Sequence, residues 1–94
     1  MEEKARELLE NGGRTHLLEL VPRFAALAEW NALTTETIVR DYAIEAGIKL
    51  GIAAQPLRAA LTGRTTSPGI FDVLAVLGRE ESLARLRDQA VPPS

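Results

Sequence analysis

Residues 49–78, KLGIAAQPLRAALTGRTTSPGIFDVLAVLG, contain the densest set of helix boundary signals in the chain. Pro56 predicts the first turn of a short helix, PLRAAL, because proline suits that position, and Gly63 predicts its end. Ser67 predicts the N-cap of a second helix with Pro68 at its first position, since apolar residues then recur at helical spacing. The stretch is therefore expected to form a helix, a loop and a second helix.

The start of that second helix is a candidate anion site. A helix N-terminus presents unpaired backbone N–H groups and the positive end of the macrodipole, so the Ser67 turn could hold a phosphate or a base acceptor. Arg58 and Arg64 could flank it, because the arginine fork of donors matches both phosphates and base edges. The alternative is an ordinary helical corner with solvated arginines, and the spacing alone leaves both interpretations open.

The runs PLRAALTG, SPGIF and VLG, followed by the acidic–basic helix EESLARLRD, resemble the C-terminal anticodon-binding region of bacterial-type glutamyl-tRNA synthetases, the class I glutamate–tRNA ligases. The resemblance covers residues 4–88 and is strongest over residues 49–86. It implies an all-helical domain remote from the catalytic nucleotide-binding fold. It also implies four residues that meet the anticodon bases of tRNA-Glu, namely Arg58, Ser67, Pro68 and Ile70.

The same resemblance implies how the chain would take part in aminoacylation. ATP and Mg²⁺ would be bound by a catalytic domain outside this chain, which itself would use no cofactor and contribute no catalytic residue. Its partners would be the anticodon of tRNA-Glu and the rest of the synthetase. The absence of cysteine is compatible with a cytoplasmic location, and it excludes disulfides and thiolate metal sites.

The residues themselves argue against an enzyme. The sequence contains no glycine-rich phosphate loop and no acidic cluster at metal-ligand spacing, and no Ser-His-Asp set can assemble around His16, the only histidine. His16 is interpreted as a surface residue in the first turn of a helix. The acidic N-terminus is unlike a secretory signal, and no apolar run approaches a membrane span, so no membrane partner is expected.

Positive charge is concentrated in the middle of the chain. Residues 1–46 contain five Lys/Arg and nine Asp/Glu, residues 47–70 contain three and none, and residues 71–94 contain three and four, giving net charges of −4, +3 and −1. The three central cations are Lys49, Arg58 and Arg64. A basic patch on an acidic body is typical of a local nucleic-acid footprint, and Lys49 and Arg64 are its candidate phosphate contacts. So few charges predict weak binding with a shallow salt dependence.

Helical periodicity also covers the rest of the chain, and no alternating strand pattern is present, so the predicted fold is all-α, a compact bundle of about five or six short helices. The length predicts one domain over residues 1–90, with residues 91–94 a disordered tail. Helix boundaries are also predicted upstream of the central stretch. They are a helix over Glu2–Glu10 stopped by Asn11-Gly12-Gly13, an N-cap at Thr15, a kink or break near Leu18 to Pro22, an N-cap at Thr34 or Thr35, a helix end at Gly47 and a turn over Ile48–Gly51. A last helix is predicted over Arg79–Gln89.

Trp30, the only tryptophan, could stack on a base or fill the core with its N–H on a carbonyl, and the core role is expected. A second class of function also fits the sequence. A helical adaptor could bind proteins through the apolar pairs Val21 with Phe24 or Leu83 with Leu86. The salt dependence of binding distinguishes the two functions. RNA binding weakens as the salt concentration rises, whereas binding through an apolar protein interface does not.

Overall fold

The computed structural model describes residues 2–65 and 69–90, and these are helical with no strand, which confirms the all-α class. The chain forms α1 (Glu3–Leu8), a π-helical segment (Leu9–Gly13), α2 (Arg14–Ala25), α3 (Ala32–Ala46), α4 (Leu50–Thr62) and α5 (Ile70–Ala90). Because α1, the π-helical segment and α2 join without a loop, the described residues form four continuous helical runs rather than five or six. The extents of 32 × 28 × 26 Å are those of a compact bundle.

The predicted stop at Asn11-Gly12-Gly13 is confirmed as a kink, because Asn11 (φ −95°, ψ 43°) and Gly12 both leave helical geometry there. Gly12 has φ 105°, a value that glycine adopts at little steric cost, and the helix resumes directly after it. Gly13 is buried, and a Cβ atom there would lie 2.6 Å from the carbonyl oxygen of Leu8, so the close approach of the two helical turns requires glycine. Thr15 consequently lies inside a helical run, and the N-cap prediction for it was wrong.

Two of the prolines expected to start or break a helix, Pro22 and Pro56, lie inside one. Helix α4 begins at Leu50, six residues before Pro56, so the predicted turn over Ile48–Gly51 was wrong, and α2 continues through Pro22 without a break. Each proline removes the hydrogen bond to the carbonyl four residues earlier. Those carbonyls belong to Leu18 and Ile52. The two residues are 54% and 51% exposed, so water can donate hydrogen bonds to their carbonyl oxygens instead.

The predicted glycine helix ends are confirmed, whereas one N-cap moves. Gly47 and Gly63 end α3 and α4 in the left-handed conformation, with φ 70° and 71°. The N-cap of α3 is Asn31 rather than Thr34 or Thr35. The Asn31 side chain accepts from the Thr34 N–H at 2.8 Å, and the Thr34 hydroxyl accepts from the Asn31 N–H at 3.0 Å, which satisfies two orphan donors reciprocally.

Helix α5 merges the two helices predicted on either side of Gly78. This glycine has φ 81° and ψ 171°, which is not helical, so a kink divides α5 at the predicted position before the helix ends at Ala90. Apolar residues on both sides of the bend pack on α2, α3 and α4, as the helical spacing predicted for Leu83 and Leu86. The largest fully buried apolar side chains are Phe24, Leu9, Leu17, Leu20, Leu57, Ile70, Leu74, Leu86 and Val39.

The core role predicted for Trp30 is confirmed. Its ring is half-buried at 5.7 Å from the Phe24 ring, and its Nε1–H donates to the carbonyl oxygen of Leu74 at 2.8 Å. The Arg79 guanidinium lies 5.4 Å from the centre of the indole and donates to the carbonyl oxygens of Ala25, the last residue of α2, and Leu27. Trp30 thus joins the end of α2 to the bend in α5.

Candidate nucleic-acid interface

Arg58 lies on the solvent side of α4, one turn after Gln55 and one turn before Thr62. The three residues share a face because they are spaced by three and four positions, and each of them is half-buried. Within residues 2–65 and 69–90, no hydrogen bond or salt bridge engages the Arg58 guanidinium. Its five donors are therefore available, as far as the described residues go, to a ligand on this face.

The connection after α4 is held by Thr62 and Glu2. The Thr62 hydroxyl donates to the Arg58 carbonyl at 2.7 Å and accepts from the Arg64 N–H at 3.2 Å. The Glu2 N–H donates to the Gly63 carbonyl at 2.8 Å, and the Thr65 hydroxyl donates to the Glu2 carboxylate at 3.0 Å. The exposed Arg64 side chain thus starts from an anchored main chain close to Arg58.

The other predicted anticodon contacts divide into two groups. Ser67 and Pro68 lie outside the described residues. Ile70, the first residue of α5, is only 1% exposed and belongs to the core, so its side chain does not reach the surface. We therefore correct the assignment of Ile70 as a base contact, because a fully packed side chain has no surface left for one.

Lys49 does not join Arg58 and Arg64 in a single patch. It is the N-cap of α4, whereas Arg64 follows the C-cap, and the 13 residues of the helix separate them by about 20 Å. The three cations that the charge count grouped together are therefore separated in the structure. Two of them lie at the C-terminal end of α4, and the lysine lies at its N-terminal end.

The structure adds Arg85 to the cations near the end of α4. Its Nη1 donates to the carbonyl oxygen of Leu61 at 2.9 Å, and it also pairs with Glu81 one turn earlier on α5 at 3.0 Å. A cation on a C-terminal carbonyl is favourable against the helix macrodipole. Sequence reasoning placed Arg85 only within its own helix, because nothing local signals a contact 24 residues away.

A pocket lies on the Gln55 side of α4, where the π-helical segment and the start of α2 pack against this helix. The pocket has a volume of about 340 Å³. Its lining residues are Leu8, Asn11, Gly12, Gly13, His16, Ile52, Gln55 and Pro56. The Gln55 Oε1 is buried and has no hydrogen-bond partner among the described residues. The walls of this pocket come from two segments that are far apart in sequence, so no local sequence pattern indicates it.

His16 lies in the first turn of α2, as predicted, and also lines this pocket. The residue is half-buried and its Nδ1 lies 2.6 Å from the Tyr42 hydroxyl. Burial raises the pKa of Tyr42. Beside it, Arg23 lies 5.2 Å from the centre of the Tyr42 ring and pairs with Glu45 at 2.9 Å, and this hydrogen bond lowers the pKa of the Glu45 carboxyl. The cluster fixes α2 against α3.

Other kinds of site find little support in the described part of the chain. No group of three or more His, Cys, Asp or Glu residues there is arranged to hold a metal ion. Among the helices that the structure describes, none is both long and apolar enough to cross a bilayer. Of the residues proposed for a protein-binding adaptor surface, Phe24, Leu83 and Leu86 are at most 6% exposed, and Val21 is half-buried against the core, so most of that surface is already covered by the fold.

Comparison with known proteins gives one family and a consistent set of relatives. A family model described as an anticodon binding domain matches residues 1–90. The chain is 64% identical over 90 residues to glutamate–tRNA ligase 1 of Methylobacterium sp. (strain 4-46). The matched residues make up 96% of this chain and 19% of that protein. Identity is 63% to glutamate–tRNA ligase 1 of Beijerinckia indica over 90 residues, and 63% to the glutamate–tRNA ligase of Azorhizobium caulinodans over 89 residues. These matches cover 96% and 95% of this chain, which spans 19% of the length of each relative.

Proposed function

Because this chain belongs to the anticodon binding domain family, we propose that it recognises the anticodon of tRNA-Glu as one domain of a glutamate–tRNA ligase. The observation that carries the proposal is the C-terminal end of α4, where the Thr62 hydroxyl links the main chains of Arg58 and Arg64. Arginine is suited to this task, since its planar donors bind base edges and phosphates and its face stacks on bases.

The two arginines have different proposed roles. Arg58 is half-buried on a helix, so its guanidinium approaches a ligand from a restricted direction, as base reading requires. Arg64 is exposed in the connection after α4, where a long side chain reaches a phosphate in several conformations. Ser67 and Pro68 are proposed to contact the anticodon bases on the strength of the family resemblance. Ile70 supports them from the core.

Lys49 is proposed as a phosphate contact at the far end of α4, about 20 Å from Arg64. A strand of RNA that met all three cations would therefore lie along the helix. With a net charge of −2, the chain attracts RNA only locally, so most of the affinity for the tRNA must come from the rest of the ligase.

The ligase reaction, ATP-dependent attachment of glutamate to its tRNA, is proposed to take place in a domain outside this chain. That domain would bind ATP and Mg²⁺. The described residues offer no cluster of oxygen ligands that fits Mg²⁺, so no step of the chemistry is assigned to them.

The test is a titration of the 94-residue chain with tRNA-Glu and with the same tRNA carrying a scrambled anticodon, at several salt concentrations. Tighter binding of the cognate tRNA is expected. Arg58→Ala should cost about 1–3 kcal/mol of binding to the cognate anticodon and little to the scrambled one. Arg40→Ala is the matched control, because Arg40 is an exposed arginine on α3 whose only described partner is Glu36.

Aminoacylation by a full-length ligase that carries this domain gives a second measurement where the isolated chain binds weakly. Arg58→Ala should slow charging of tRNA-Glu in that enzyme, whereas Arg40→Ala should not. Unchanged charging and unchanged discrimination between the two tRNAs would move the reading site away from Arg58. Equal affinity of the wild-type chain for cognate and scrambled tRNA would contradict anticodon recognition itself.

A further inference from the structure

Asn11 and Gly12 form an asparagine–glycine pair at the kink between α1 and α2, and this pair has no part in the proposed function. Asn11 has φ −95° and ψ 43°, and Gly12 has φ 105°, so neither residue has helical geometry. Both residues are exposed. Within residues 2–65 and 69–90, no hydrogen bond holds the Asn11 carboxamide. The side chain is therefore accessible and unrestrained as far as the described residues go.

The glycine leaves its own main-chain nitrogen free to approach the Asn11 side chain. In any other residue at position 12, a Cβ atom would hinder that approach. No heavy atom beyond the neighbouring residues lies within 4 Å of the place where a Cβ atom of Gly12 would be, so the surroundings do not hinder it either. A regular helix would prevent the approach, because its dihedral angles and hydrogen bonds fix each main-chain nitrogen. The kink removes that restraint.

We propose that Asn11 is a site of spontaneous deamidation in the folded chain. Asparagine is one of the chemically labile side chains. The Gly12 nitrogen forms a bond to Cγ of Asn11 and gives its proton to solvent, while the Cγ–Nδ2 bond breaks and the side-chain nitrogen takes up a proton and leaves as ammonia. Water then opens the cyclic imide at either of its carbonyl carbons. One route gives aspartate, and the other gives isoaspartate, in which the main chain continues through the former side chain.

Water is the only co-reactant, and the fold supplies access for it. Asn11 and Gly12 line the pocket beside α4, whose volume of about 340 Å³ is far larger than the space that one water molecule needs. The net reaction consumes one water molecule and releases one ammonia molecule. No oxidant, metal ion or enzyme takes part in it.

The second asparagine of the chain provides an internal comparison. Asn31 is also exposed, so access to water does not distinguish the two residues. Its side-chain oxygen, however, accepts from the Thr34 N–H at 2.8 Å, which holds the carboxamide on the first turn of α3. The next residue is Ala32, whose Cβ atom hinders the main-chain nitrogen. The fold therefore predicts reaction at Asn11 and not at Asn31.

The isoaspartate product does not fit the packing around the kink. It lengthens the main chain by one atom between Leu9, which is 1% exposed, and Leu17, which is fully buried. Gly13 is packed so closely that a Cβ atom there would lie 2.6 Å from the Leu8 carbonyl oxygen. The extra atom must therefore displace a packed helix. The aspartate product leaves the main chain unchanged and alters only an exposed side chain.

The experiment incubates the 94-residue chain in mildly alkaline buffer, with and without urea, and analyses its tryptic peptides by mass spectrometry. Cleavage after arginine separates the two asparagines, because one peptide covers residues 7–14 and another covers residues 24–40. Deamidation replaces NH₂ by OH, which changes the peptide mass, and chromatography separates the aspartate and isoaspartate forms. Digestion in water enriched in heavy oxygen marks any conversion that occurs during digestion. Asn11→Gln keeps the carboxamide but moves it one methylene away, and Asn11→Asp reproduces the aspartate product.

Asn11 should convert in the folded chain at a rate within about tenfold of its rate in urea, because a site already outside helical geometry needs little local opening. Asn31 should convert more than about tenfold more slowly in the folded chain than in urea. Residues 7–14 of Asn11→Gln should not convert. At a fixed urea concentration, the isoaspartate form should have an unfolded population about tenfold larger than that of the fresh chain, whereas Asn11→Asp should stay within about twofold.

Three results would overturn the proposal. If Asn11 converts more than about tenfold more slowly in the folded chain than in urea, the kink protects the pair as a helix would. If Asn31 converts as fast as Asn11 in the folded chain, the kink does not select the site. If the isoaspartate form is as stable as the fresh chain, the packing around Gly13 does not oppose the product.

Discussion

Replacement of Trp30 by alanine should lower the free energy of unfolding by about 3–5 kcal/mol. The structure allows the contributions to be added. Half-burial removes about 100 Å² of the indole from water, worth about 2.5 kcal/mol. The hydrogen bond to the Leu74 carbonyl contributes about 1 kcal/mol, and the contacts with Phe24 and Arg79 about 0.5–1 kcal/mol each. The sum of about 4.5–5.5 kcal/mol is an upper bound, because the unfolded chain already buries part of its apolar surface, so a loss of about 3–5 kcal/mol is expected.

The assay is urea unfolding followed by far-ultraviolet circular dichroism, because Trp30 is the only tryptophan and its own fluorescence is lost in the variant. Trp30→Phe keeps an aromatic ring but removes the N–H, so it should cost about 1–2 kcal/mol, chiefly through the Leu74 carbonyl. Val76→Ala is the control on α5, where an 86% exposed side chain should change stability by less than about 0.5 kcal/mol.

A cost below about 1 kcal/mol for Trp30→Ala would refute the reasoning, since a side chain with these contacts cannot be removed so cheaply from a packed site. Loss of RNA binding together with unchanged stability would place the indole on a base instead. Changes in the slope of the urea dependence must be checked, because only variants with equal slopes can be compared directly.

Three further predictions follow from other parts of the molecule. Arg64→Ala should weaken binding of all RNAs alike and reduce the salt slope by about one charge, and a loss limited to the cognate anticodon would show a base contact instead. Pro68→Ala should change the free energy of unfolding only slightly, because α5 begins at Ile70 and a proline two residues before a helix removes none of its hydrogen bonds; a loss above about 2 kcal/mol would contradict this reasoning. Because burial raises the pKa of Tyr42, the only tyrosine, its absorbance should titrate above the usual value of about 10. Folding stability should then fall as pH rises through that range, since the unfolded state loses the proton more easily, and Tyr42→Phe should lack this alkaline loss.

The helix ends that depend on one residue could be predicted from the sequence. Gly47 and Gly63 each adopt a left-handed conformation that glycine reaches without the steric cost other residues bear, so the chemistry of the position is local. The N-cap of α3 is also local. There the sequence offers Asn31, Thr34 and Thr35 as competent caps, and the reciprocal bonds of Asn31 with Thr34 decide among them.

The effects of helix breakers could not be predicted in the same way. A proline costs most where the carbonyl that it leaves unpaired is buried, and the carbonyls behind Pro22 and Pro56 belong to half-exposed residues. Their exposure depends on how the finished bundle packs. The bend at Gly12 likewise continues the helix because α1 and α2 both bury residues in one core, among them Ala5 and Leu17.

The candidate site was predictable where it is contiguous in sequence. Arg58 and Arg64 are six residues apart, and a helix followed by a glycine end keeps them close. For Ile70, helical periodicity indicated the core and the family resemblance indicated a base contact, and its 1% exposure decides for the core. Arg85 and the pocket beside Gln55 required the tertiary fold, because their partners lie on other helices.

The hydrogen bonds of Glu2 have a consequence for the order of folding. The bond between Thr65 and Glu2 joins residues 63 positions apart, and closing so long a loop has an entropic cost that local helix contacts avoid. Helix α4 and its glycine end can form early from neighbouring residues. The connection that carries Arg64 reaches its final geometry only when Glu2, near the N-terminus, has docked on it. Although Arg64 lies close to Arg58 in sequence, its main chain is therefore among the last parts of this surface to be fixed during folding.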